Sequence, residues 1–167
     1  LTWHPDFMLV NEVEGYRIQK RFRPDGMRPR IVKLARTWTE LCRFVFMQLG
    51  EFRPFGVGFI FSRDSLAAYR YLDRQQWLLV NPFWTGNYSA DITNMILTPN
   101  NADQLKFLYA AAVHECTHMA NGLSYHDESF SYALTVNIAK TAPGFNKVRG
   151  IIRAISKRDT PDVESDE

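Results

Sequence analysis

His114, Glu115 and His118 stand in the order His-Glu-x-x-His inside residues 110–122, a run that reads as one helix. Four residues is just over one helical turn, so histidines at that spacing share a face and can meet on one metal ion. A glutamate one residue after the first histidine points beside such an ion, where it can polarise a water without ligating the metal. Catalytic zinc keeps three protein ligands and one open position. The third ligand is expected in residues 123–130, where Gly122 lets the chain fold back and His126 follows His118 by eight residues. Imidazole is the commonest partner in such sites, which favours His126. Asp127 is the alternative ligand and also the candidate N-cap of the next helix. Cys116 does not fit, because its side chain lies about 160° round the helix from the mean direction of the two histidines.

These residues need a helix that is apolar on one side and open on the other. Asp103 is a good N-cap and Gly122 a good C-terminal stop. Leu105, Leu108, Ala112, Cys116, Met119 and Leu123 form the apolar stripe, with Phe107 and Ala111 on the histidine side. An earlier long helix is expected from Pro29 to Leu49, stopped by Gly50 and carrying Ile31, Leu34, Ala35, Trp38, Leu41, Cys42 and Val45 inward. A capping box at Thr37–Glu40 offers the alternative of two shorter helices. Strands are expected at Tyr16–Phe22, Gly56–Phe61, Leu66–Leu72 and Gln76–Asn81, the last two joined by a turn at Asp73-Arg74. The apolar run Trp77-Leu78-Leu79-Val80 suits a buried strand. After the motif, Asp127 is expected to cap a helix to Lys140 with Phe130, Ala133, Leu134, Ile138 and Ala139 inward. A short amphipathic helix with Val148, Ile151, Ile152 and Ile155 follows at Asn146–Lys157.

The block His114-Glu115-x-x-His118, then His126-Asp127-Glu128-x-Phe130, resembles the active-site block of the SprT-like and WLM metallopeptidases. The match covers residues 103–135, and the order of elements extends it more weakly over 29–140. Asp127 departs from the pattern, since many SprT relatives carry Gly after the third histidine. The resemblance implies an α+β fold: a single zincin-like domain with an N-terminal helix, a small, mainly antiparallel sheet, the His-Glu-x-x-His helix and following helices. It implies that His114, His118 and His126 bind Zn2+ and that Glu115 is the general base of peptide hydrolysis. It also implies an edge strand that holds a peptide substrate, at residues 76–81 or within 83–98, and proteins associated with DNA as substrates. Tyr125 and Tyr132 are candidate extra donors, with core packing the safer reading of both. A function of another class is a catalytically inactive zincin-like domain that acts as a binding or assembly module.

Composition sets the frame. The chain has 167 residues, 46% of them hydrophobic and 14% aromatic, which suits one globular domain. Residues 1–158 are read as that domain, with 1–28 an extended lead-in and basic hairpin, and 159–167 as an acidic disordered tail. A start at Leu1 fits a piece of a longer protein with further domains. The net charge of +2 conceals a basic stretch at 17–36, where Arg17, Lys20, Arg21, Arg23, Arg28 and Arg30 are the candidate contacts to DNA. A solvated helix face explains the same charges. Cys42 and Cys116 read as reduced core thiols. No basic-then-apolar leader or long apolar span is present, so the expectation is no membrane and a cytoplasmic or nuclear protein. There is no Gly-rich phosphate loop and no Gly-x-Ser-x-Gly elbow.

Overall fold

The computed structural model describes residues 2–3, 7–10, 28–60, 65–82 and 102–158. The fold is α+β, with helices layered on one face of a mixed sheet. The five strands are β1 (Thr2–Trp3), β2 (Phe7–Val10), β3 (Gly56–Ile60), β4 (Ala67–Leu72) and β5 (Gln75–Val80). Their order across the sheet is β1-β2-β3-β5-β4. Only the β3–β5 pair is parallel; β1–β2, β2–β3 and β4–β5 are antiparallel. The lead-in therefore contributes two strands. The strand expected at Tyr16–Phe22, the basic residues Arg17, Lys20, Arg21 and Arg23, the 83–98 segment and the acidic tail lie outside the described residues.

The first helix, α1 (Arg28–Leu49), is continuous, so Thr37–Glu40 does not start a second helix. Thr39 shows why: its hydroxyl donates back to the Ala35 carbonyl within the same helix, at 2.8 Å. The Thr37 hydroxyl is buried with no partner among the described residues, which costs roughly 1–3 kcal/mol. Leu34, Trp38, Leu41, Cys42 and Val45 are all buried, as their spacing demands. Trp38 also donates its indole N–H to the Leu78 carbonyl of β5 at 3.0 Å, tying α1 to the middle of the sheet.

Alternation sorts the strands onto two faces. Val57, Phe59, Leu78 and Val80 join the helices in the main core, while Ile60, Ala68, Trp77 and Leu79 form a cluster on the other face. A strand buried on both faces needs an unbroken apolar run, and Trp77–Val80 supplies it. Because β5 pairs with β3 on one side and β4 on the other, residues 76–81 cannot offer a free edge. Among the described residues the free edge on this side is β4, and α2 (Ala102–Asn121) packs against it.

α2 begins one residue before Asp103, which therefore lies inside the first turn rather than at the cap. It ends where expected, with Gly122 at φ +65°. α3 (Glu128–Thr141) follows, then a 3-10 turn (Ala142–Gly144) leading straight into α4 (Phe145–Arg158). The inward face of α3 is Phe130, Ala133, Asn137 and Thr141. Ile138, expected inside, is 51% exposed, and Ala139 is exposed too. The expectation followed the aliphatic residues; the real stripe runs through two polar ones that find hydrogen bonds inside. On α4, Val148 is buried and Ile151 half-buried. No helix among the described residues is long and apolar enough to cross a membrane.

Candidate metal centre

His114 and His118 sit one turn apart on α2, and His126 lies on the link between α2 and α3. The Nε2 atom of His126 is 3.0 Å from Nε2 of His114 and 3.0 Å from Nε2 of His118. All three ligand atoms lie within 4.8 Å of one another. Three close histidines of this kind can hold a metal ion.

The loop that brings His126 back is built from local bonds. Gly122 takes the left-handed conformation, so the Leu123 N–H reaches the His118 carbonyl at 3.1 Å. In return, His118 Nδ1–H donates to the Leu123 carbonyl. A neutral imidazole carries one N–H, so this bond leaves Nε2 of His118 as a bare lone pair aimed at the cluster. His126 can carry at most one proton on the nitrogen that faces both neighbours. The trio therefore cannot satisfy all its close contacts by hydrogen bonds among neutral rings, whereas a cation accepts three lone pairs at once. The donor set fits a metal.

Asp127 is not part of this set. Its carboxylate accepts from the Phe130 N–H at 2.9 Å and caps α3, which resolves its two expected roles in favour of the cap. That cap also seats Phe130, whose buried ring lies 4.1 Å from the His118 ring, 4.9 Å from that of His114 and 5.0 Å from that of His126. Phe130 is an apolar floor touching all three imidazoles. Tyr69 of β4 places a second ring parallel to His118, at 6.1 Å, and its hydroxyl donates to Gln76.

Sequence reasoning missed Tyr69, whose aromatic character reads as ordinary strand packing. It also missed Asn137, whose buried amide donates to Thr117 Oγ1 at 3.0 Å and to Asn121 Oδ1 at 3.2 Å, clamping α3 to the helix that carries the histidines. The available signal was a polar residue on the Phe130–Ala133 stripe. Tyr125 and Tyr132, expected in the core, are 80% and 74% exposed. Cys42 of α1 and Cys116 of α2 are free thiols buried in the main core.

Comparison with protein-family models, curated proteins and solved structures finds no match to this chain.

Burial dominates the electrostatics. It lowers the His114 pKa to about 4, helped by the neighbouring His118 and His126. The same burial lowers that of His118, opposed by its bond to Leu123. Both rings are thus neutral, with lone pairs available, at neutral pH. Glu115 is only 7% exposed, and its Oε1 is 3.9 Å from His114 Nε2. Burial raises its pKa to about 7, against the pull of the Arg70 guanidinium. A buried, basic carboxyl beside a cluster of bare imidazole nitrogens is an arrangement suited to moving a proton at a metal site. Of the expected DNA contacts, Arg28 and Arg30 lie in the first turn of α1, away from these residues in sequence.

Proposed function

We propose that this chain is a zinc-dependent peptidase of the zincin type, resembling the SprT-like and WLM metallopeptidases. His114, His118 and His126 would hold the ion, and Glu115 is the general base. The observation that carries this reading is the convergence of three Nε2 atoms beside a buried carboxyl, next to β4, which is the edge strand among the described residues. Three imidazoles with an open fourth position are a zinc donor set.

Bound there, zinc would bring the pKa of a water to about 7 and draw negative charge developing on oxygen towards itself. The chain's own residues do the rest. Glu115 accepts a proton from the attacking water and delivers it to the leaving amide nitrogen. Its burial makes it more basic than an exposed carboxylate, which suits the first of those transfers. Phe130 keeps water away from one side of the imidazoles. β4 offers the backbone edge to which an extended peptide adds as a further strand.

The test is zinc content together with hydrolysis of a mixed peptide library. Wild-type protein binds one zinc per chain and cleaves; Glu115→Gln binds zinc and does not cleave. Full activity in Glu115→Gln would sink the mechanism. Zinc binding without cleavage of any peptide would turn the reading to a binding or assembly module. Proteins associated with DNA are the substrate class that the resemblance implies, and stimulation of cleavage by double-stranded DNA supports that class.

A further inference from the structure

The β4–β5 hairpin determines which backbone groups on β4 stay open. Its two-residue turn, Asp73-Arg74, has φ values of 52° and 63°, and Leu72 pairs with Gln75 across it. Residues flanking such a turn form a hydrogen-bonded pair, and such pairs alternate along an antiparallel ladder. Arg70–Trp77, Ala68–Leu79 and Leu66–Asn81 are then the bonded pairs, in agreement with the Asn81 N–H donating to the Leu66 carbonyl at 2.8 Å. The N–H and C=O groups of Ala67, Tyr69 and Tyr71 therefore face away from β5.

One of these open groups already has an occupant. Arg70 Nη1 donates to the Tyr69 carbonyl at 2.8 Å, and the Tyr69 ring is the one parallel to His118. The guanidinium thus covers the backbone acceptor of the residue whose ring lies alongside His118. Arg70 is exposed and makes no ion pair among the described residues, whereas the other cation near Tyr69, Arg53, is paired with Glu51 at 3.2 Å. A strand that adds to β4 brings its own N–H to the Tyr69 carbonyl and displaces Arg70. The freed guanidinium, whose charge also acts on Glu115, is then a two-pronged cation beside the incoming chain, and such a fork matches a carboxylate.

We infer that Arg70 is a specificity-determining residue that selects substrates carrying a carboxylate opposite it on a strand added to β4. The inference rests on the peptidase reading and names its substrate class. The carboxylate comes either from an Asp or Glu side chain or from a free chain end.

The experiment compares zinc-loaded wild type, Arg70→Ala and Arg70→Glu on one peptide library, prepared with free and with amidated C-termini. Expected for wild type is an enrichment of about fivefold for a carboxylate at one position relative to the cut, the scale of a partly exposed ion pair. Arg70→Ala loses the enrichment, while its overall rate shifts for every peptide alike with the loss of the guanidinium's pull on Glu115; Arg70→Glu turns the preference to Lys or Arg. Enrichment that survives amidation assigns the carboxylate to an internal side chain, and enrichment confined to free ends assigns it to the terminus. A binding readout checks the same point without turnover: the Glu115→Gln protein binds a Glu-containing peptide more tightly than its Gln counterpart, and adding Arg70→Ala removes the difference. The same preference in wild type and Arg70→Ala, or cleavage by wild type with no carboxylate preference, overturns the role of Arg70 alone. Failure of wild type to cleave any peptide overturns the peptidase reading, and this inference with it.

Discussion

His118 and Leu123 hold each other twice: the Leu123 N–H donates to the His118 carbonyl, and the His118 ring donates to the Leu123 carbonyl. The turn that ends α2 is thus also the device that orients one histidine of the candidate metal site. Gly122 makes this possible at φ +65°, and nothing lies within 4 Å of where a Cβ would stand. Gly122→Ala meets no clash, only the left-handed backbone, at a cost of about 1 kcal/mol. We expect that loss in chemical denaturation, with zinc affinity falling roughly tenfold in a competition titration because Leu123 orients His118. Unchanged zinc affinity would separate the turn from the ligand.

His126 and Asp127 are neighbours with separable roles. His126→Ala should lose stoichiometric zinc. Asp127→Ala should keep it and lose about 1 kcal/mol of stability, the ordinary cost of removing an N-cap. Elemental analysis and thermal unfolding of the two variants check this. Loss of zinc in Asp127→Ala with retention in His126→Ala would reverse the assignment.

In the metal-free protein Glu115 and His114 act on stability in opposite senses. The folded-state pKa of Glu115, about 7, is raised, so its contribution is full below the unfolded value near 4.5 and is lost as pH rises through 7. For His114 it is lowered to about 4, so its contribution is present above 6.5 and lost as pH falls towards 4. Glu115→Gln removes only the first. We expect the chelated variant to gain on chelated wild type as pH rises from 4.5 to 7, by about 3 kcal/mol at most. Urea unfolding across that range measures it, and a constant difference would show that Glu115 titrates normally.

Asn137 is 5% exposed and donates twice to α2. Asn137→Leu keeps the volume roughly and removes both bonds, leaving the Thr117 and Asn121 oxygens without that donor. A loss of about 1–3 kcal/mol is expected. Because Thr117 precedes His118, zinc affinity should fall as well, read by the same competition titration. A stability loss with unaltered zinc affinity would make Asn137 a clamp between helices and nothing more.

DNA is the partner expected from the basic stretch. If Arg28 and Arg30 each meet a phosphate, reversing both to Glu lowers the slope of log affinity against log salt by about 2 in a filter or anisotropy titration. An unchanged slope assigns those charges to a solvated helix end.

The sequence by itself determined the local parts of this site. One helical turn separates His114 from His118, so their shared face followed from spacing. The Gly122 stop, the Asp127 cap and the buried run of Trp77–Val80 were legible for the same reason, since each depends on a few adjacent residues. Tertiary structure decided what depends on partners far along the chain. Among the described residues it left β4 at the edge and put β5 inside, because a strand's place in a sheet depends on pairing with distant strands and not on its own composition. It put Asn137 in the core and Ile138 at the surface, because a buried amide is stable only where another helix supplies acceptors. It also set Tyr69 parallel to His118, a contact that exists only once β4 meets α2.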